Sequence, residues 1–205
     1  FLDLPYIRLP FGLTTRFDLI KNKDEYINFQ TQLKLNKTIQ QQEELSIVLF
    51  NNSSYLLQVD TVYVKAQQLL PKSLDFSLLS YGLAYKLNST NDNFNPTQGL
   101  LLELQALVGT KKFKKNPGIL KFDSNGKLNT QYDSLNKNGV QSNVQSNITG
   151  YISLSKRQVL KGSTQGFLLI SKNQSLENEL IKIGGIHTLR GFNDNQFTSD
   201  AYVLS

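Results

Sequence analysis

The chain has no cysteine, no methionine and a single histidine among its 205 residues. Without cysteine there is neither a disulfide framework nor a thiolate metal site, although that says little about compartment. Any Ser-His-Asp arrangement would have to use His187, and no Gly-x-Ser-x-Gly elbow accompanies it. One histidine with scattered carboxylates offers no metal-ligand spacing, and no phosphate-cradling glycine loop occurs. We therefore expect no enzyme activity, no metal and no cofactor. Long apolar runs are missing as well: the best stretch, Gly99 to Gly109, is broken by Glu103 and Gln105 and falls short of the ~20 residues a transmembrane helix needs. A membrane-spanning β-barrel escapes this test, because only every second residue of a strand faces lipid. A mean hydropathy of -0.31 is compatible with it. The absence of methionine, and an end at Tyr202-Val203-Leu204-Ser205 that reads as mid-strand, lead us to expect an internal stretch of a longer chain, so a missing signal peptide is uninformative.

What is present is alternation. From Tyr26 to Asn36, Ile27, Phe29, Thr31, Leu33 and Leu35 share one face, while Asn28, Gln30, Gln32 and Lys34 share the other. The same pattern marks Leu13 to Leu19, and further strands read at Glu44 to Asn52, Asp75 to Asn88, Leu100 to Thr110, Val144 to Ser155 and Gln158 to Ser171. In the fourth, Leu79, Tyr81, Leu83, Tyr85 and Leu87 oppose Ser80, Gly82, Ala84 and Lys86. In the last, Gly162 and Gly166 spoil the alternation and its faces stay unassigned.

Alternating strands also suit a half-buried sheet in a soluble sandwich. Strand length and loop length separate the two readings. Soluble strands peak near 5 to 6 residues, whereas a tilted membrane-crossing strand takes roughly 9 to 11, which is the length seen here. Apart from the short link at 21–25, the connections alternate between shorter ones (37–43, 89–99, 156–157) and long ones (53–74, 111–143, 172–199). Outer-membrane barrels alternate in this way, with short periplasmic turns and long external loops. The expected fold is all-β: one partial, antiparallel transmembrane β-barrel domain over residues 1–205.

Near the end stands Gly184-Gly185-Ile186-His187-Thr188-Leu189-Arg190-Gly191-Phe192. Its double glycine, three-residue spacer and aliphatic-Arg-Gly-Phe core resemble the signature loop of the BamA/TamA superfamily, the bacterial surface antigen family of outer-membrane barrels. Two other stretches resemble the family: Asn95-Pro96-Thr97-Gln98-Gly99 before a strand, and Glu179-Leu180-Ile181-Lys182-Ile183 leading into the glycines, the latter as in barrels from the Bacteroidota. The resemblance implies about eight strands of a sixteen-stranded barrel, present here as an open curved sheet. It implies that loop 172–199 folds back from outside into the lumen, with Gly184, Gly185, Leu189, Arg190, Gly191 and Phe192 as its signature. Arg190 would be held against acidic and aromatic groups of the inner wall. Its acidic partners are expected on strands beyond Ser205, and Glu103 is an inward carboxylate that the family pattern does not designate.

By the same resemblance the parent protein lies in the bacterial outer membrane and assembles, inserts or translocates outer-membrane proteins through a lateral seam, without a cofactor. Its partners would be outer-membrane lipids, unfolded outer-membrane clients, upstream periplasmic POTRA domains and the remaining barrel strands. The alternatives are a two-partner secretion translocator or hydrolase-fused barrel, a passive pore or surface-binding barrel, and a soluble β-sandwich that binds carbohydrate. The charge of +6 and the run Lys111-Lys112-Phe113-Lys114-Lys115 raise nucleic-acid binding, but a solvated loop explains them more simply. At the outer end of a strand, Lys111, Lys112, Lys114 and Lys115 would instead meet lipopolysaccharide phosphates, and no nucleic-acid partner is expected.

Overall fold

A computed structural model describes residues 11–22, 25–40, 42–136, 139–155, 157–172, 175–185 and 189–205. Seven long strands follow one another: β1 (Gly12–Asn22), β2 (Tyr26–Gln40), β3 (Glu43–Leu56), β4 (Phe76–Asn88), β5 (Gly99–Phe113), β6 (Val140–Ser155) and β7 (Gln158–Ser171). Three short strands close the chain: β8 (Ile181–Ile183), β9 (Phe197–Ser199) and β10 (Ala201–Leu204). The main sheet is antiparallel throughout and has eight strands in the order β1-β2-β3-β4-β5-β6-β7-β10. The terminal Tyr202 to Leu204 segment is indeed strand, paired with Phe167 to Gln165 of β7. Among the described residues no ladder joins β1 to β10, so the sheet is an open piece of barrel wall.

Register converts alternation into two chemically distinct walls. Leu13, Leu35, Ile47, Leu83, Ala106, Val144, Leu168 and Ala201 stand opposite one another in a single row across all eight strands. All eight are exposed, and of their same-face neighbours Phe17 stands at 74% and Tyr81 at 65%, which marks the outer face as the lipid-facing one. The other face carries Thr14, Arg16, Gln30, Gln32, Ser46, Asn52, Gln105, Gln141, Asn143 and Gln145, and encloses a trough of about 730 Å³. Curvature is strong: Gln32 Nε2 donates to Gln105 Oε1 at 3.1 Å although β3 and β4 lie between their strands. In β7, whose faces the sequence left open, Phe167 and Leu169 turn inward and are buried, while Leu168 and Ile170 turn outward.

The long connections all leave from one end of the sheet, and two of them contain helices that alternation does not reveal. α1 (Thr61–Gln67) starts at Asp60, whose carboxylate accepts from the Tyr63 N–H. α2 (Pro117–Leu120) starts at Asn116 with proline in the first turn, and the Asp123 carboxylate accepts from the Leu128 and Asn129 N–H groups at the start of α3 (Lys127–Asn136). In all three helices a side-chain oxygen thus accepts from first-turn N–H groups that have no partner within the helix. Their apolar residues Val64, Ile119, Leu128 and Tyr132 pack with Leu74, Phe76, Leu78, Phe113 and Leu176. This apolar cluster of the described residues therefore sits at the long-loop end, over the inner wall of β4 and β5. Burial pushes the Tyr132 phenol up to about 12.

At the opposite end, residues 89–98 form a turn braced by its own side chains. Asn91 Oδ1 accepts from the Thr97 and Gln98 N–H groups, and Asp92 Oδ1 accepts from those of Phe94 and Asn95. Gly99 enters β5 at φ +118 against the Ser89 carbonyl, where a side chain would have neither a favourable backbone nor room. The two backbone donors hold the Asp92 carboxyl below its ordinary value of 3.8. A lowered carboxyl stabilises the turn above the unfolded value and loses that contribution as pH falls through the lower, folded one. The protection factors of the Phe94 and Asn95 amides in the folded parent barrel, taken against the intrinsic exchange rate at each pH, are therefore expected to hold at neutral pH and to fall only below the ordinary value of 3.8, with Asp92→Asn abolishing that fall.

The two-walled reading makes its own prediction. Leu83→Arg, on the outer face near the middle of β4, should cost on the order of 2 to 4 kcal/mol in lipid-vesicle folding titrations, whereas Gln145→Arg on the trough side should cost little. Equal tolerance at the two sites would point to a soluble sheet.

Candidate functional site

Loop 172–199 leaves the top of β7 and turns back down onto the inner wall. Leu176 enters the apolar core, and the Glu177 N–H donates to the Lys72 carbonyl at 3.2 Å. Asn178 is buried: its amide donates to Ser54 Oγ at 2.8 Å and to the Leu74 carbonyl at 2.9 Å, and its own carbonyl accepts from Asn28 Nδ2 at 3.4 Å. Glu179 then meets Lys111, whose Nζ lies 2.8 Å from each carboxylate oxygen. The two side chains are only 0% and 2% exposed. Four consecutive loop residues are thus tied to β2, β3, β5 and the segment before β4.

The Lys111–Glu179 pair is the electrostatic centre of this docking. An unpaired ion so deeply buried would cost several kcal/mol, so each side chain fixes the position of the other. Burial pushes the Glu179 carboxyl up, and the ammonium beside it pulls it back. Lys111 was expected among four solvated or lipid-facing lysines. It is instead inward, because it continues the face of Glu103, Gln105, Leu107 and Gly109, and it also lies 5.0 Å from the Phe113 ring. The remaining lysines divide. Lys115 pairs with Asp133 at 2.8 Å and bonds Asn129, Lys114 reaches the Tyr55 hydroxyl at 2.9 Å, and Lys112 projects outward from the end of β5.

Beyond Glu179 the loop forms a small ribbon in which Ile181 to Ile183 pairs with Ser199 to Phe197. Gly184 and Gly185 follow at φ +136 and +92, and a Cβ on Gly185 would collide with the Asp194 carboxylate. The double glycine of the signature thus lets the backbone turn and the 193–196 segment close over it. Leu189 bridges back to Gly185, Gly191 takes φ +92, and Phe192 meets Phe197 edge to face at 5.1 Å. Ile186, His187 and Thr188 lie outside the described residues.

Arg190 stands apart from this wall. It is exposed beside Gly185, Gly191, Phe192, Asn193 and Asp194, and among the described residues no carboxylate or aromatic of the inner wall holds it. Glu103, the inward candidate, pairs with Lys86 at 3.1 Å instead. This wall grips the base of the loop, not its arginine. Neither Glu179 nor Asn178 was singled out as a site residue from the sequence, although Glu179 opens the stretch that resembles the family's approach to the signature.

The model of the Omp85 superfamily domain matches residues 6–203, nearly the whole chain. The chain belongs to the Omp85 superfamily. No curated protein matches it. Omp85 domains form bacterial outer-membrane barrels concerned at the family level with protein insertion or translocation, and they work among outer-membrane lipids and client proteins. Membership explains the two walls, the alternating loops and the signature together, and it makes the curved sheet part of a barrel wall.

Removing one member of the buried pair should undock the loop. Lys111→Ala or Glu179→Ala is expected to destabilise the parent barrel by roughly 3 to 5 kcal/mol in urea titration in lipid vesicles, while the double change Lys111→Met with Glu179→Leu should recover most of the loss. Additive single effects would show that the two side chains act independently.

Proposed function

We propose that the parent Omp85 protein assembles and inserts outer-membrane proteins, and that loop 172–199 is the element that keeps its barrel competent to do so. The observation that carries this reading is the division of the loop: residues 176–179 are fastened to the inner wall, while Arg190 projects from the far end of the β8–β9 ribbon with its charge unmet by that wall. A guanidinium in a protein-lined lumen requires a carboxylate or several carbonyls. By the family resemblance that acceptor belongs to strands following Ser205, so the loop would join the wall seen here to the rest of the barrel. Such a strut, fixed at its base and charged at its tip, would hold the barrel's shape while a seam elsewhere opens to clients.

Arg190→Ala in the full-length parent should therefore lower the rate at which outer-membrane clients are folded in reconstituted vesicles, without abolishing its own heat-modifiable migration. Limited proteolysis should show new cleavage within residues 189–197. Unchanged assembly together with unchanged cleavage would overturn the proposal, and ion conductance indifferent to the substitution would favour a passive pore.

A further inference from the structure

The outer wall is not apolar to its upper edge. On β3, β4 and β5, the row Leu49, Tyr81, Val108 is followed toward the long loops by Asn51, Leu79, Thr110, and then by Ser53, Ser77, Lys112. Ser53 Oγ and Ser77 Oγ lie 3.2 Å apart. Immediately above them the Lys114 ammonium is held by the Tyr55 hydroxyl at 2.9 Å and over its ring at 4.7 Å, and that ring is itself braced edge to face by Phe29 at 6.1 Å. On β1 and β2 the row at the level of Ser53 remains apolar, as Leu19 and Phe29. The result is a polar notch with hydroxyl groups and cations cut into the rim of a lipid-facing wall.

Two of the four lysines here are not spent on protein carboxylates. Lys111 and Lys115 are neutralised by Glu179 and Asp133, but Lys112 has no partner among the described residues and Lys114 is held by a neutral phenol. One ammonium group beside the paired hydroxyls and another above them suit a phosphate, to which ammonium groups and hydroxyls both donate. The apolar wall below suits acyl chains, which a free phosphate would leave unused. We propose that this notch binds the phosphorylated headgroup of an outer-leaflet glycolipid, with Lys112 and Lys114 on the phosphate, Ser53 and Ser77 beneath it, and the acyl chains along Leu49, Tyr81 and Val108. The site rests on the long-loop end being external, not on the assembly activity, so the two proposals can fail separately.

The test uses the full-length parent in phosphatidylcholine nanodiscs doped with bis-phosphorylated lipid A, with retained lipid A counted by native mass spectrometry after detergent extraction. Lys112→Gln with Lys114→Gln should lower retention on the order of tenfold, since each lysine near an anionic surface contributes enough for several-fold. Lys115→Gln, whose ammonium Asp133 already occupies, should leave retention unchanged. Wild-type protein should also hold dephosphorylated lipid A far more weakly, and this comparison decides the matter even where the double variant does not fold. Equal retention of the phosphorylated and dephosphorylated lipids, or equal retention by wild type and folded double variant, would overturn the proposal.

Discussion

A peptide group in hydrocarbon has no water to bond, so a chain that crosses a bilayer as strands must satisfy its backbone through its neighbours. Everything else in this Omp85 wall follows from that ladder. Continuous antiparallel pairing from β1 to β7 and on to β10 fixes the register, and register sends every second side chain outward. Leu13, Leu35, Ile47, Leu83 and Val144 can share one lipid-facing row only because no strand slips by one residue. The two bulges, at Thr38/Gln40 and Ser153/Ser155, fall beside the short turns, where they disturb no interior row.

The same constraint leaves a polar inner wall, and that wall is what receives the folded-back loop. Inward Asn28, Ser54 and Lys111 are each useless to lipid, yet together they present the amide, hydroxyl and ammonium that Asn178 and Glu179 require. The helices α1 to α3 add an apolar roof into which Leu176 inserts. Loop docking therefore combines apolar burial of Leu176 with a buried ion pair that fixes the loop's position. The signature glycines then release the chain toward Arg190, away from the surface that anchors it.

Much of this was legible in the residues, and what was not has a physical reason. Uninterrupted alternation in β2 revealed both faces, and loop length identified the two ends of the sheet. β7 resisted because Gly162 and Gly166 have no side chain to declare a face, and only Phe167 and Leu169 inside against Leu168 and Ile170 outside resolve it. α1 and α2 were hidden by treating long connections as remainder, although Asp60 and the Asn116-Pro117 pair are readable start signals. Lys111 was misread because four clustered lysines look solvated, yet counting in twos from Glu103 places it inside. Glu179 had no local sign of its role, since its partner lies 68 residues away and only the folded wall brings them together. The signature located Arg190, whose acidic partners were expected on other strands, and among the described residues this wall leaves it ungripped.

The most direct test of the account is whether loop 172–199 sits on the inner wall of the intact protein in its membrane. This stretch contains no cysteine, which makes a site-specific cross-link clean. Asn178 and Ser54 touch through their side chains at 2.8 Å, and Ser53 and Ser77 touch on the outer wall at 3.2 Å. Paired cysteines at 54 and 178 should form a disulfide under mild oxidation as readily as the control pair at 53 and 77. A control pair that cross-links while the 54 and 178 pair stays reduced would contradict the docking on which this account rests.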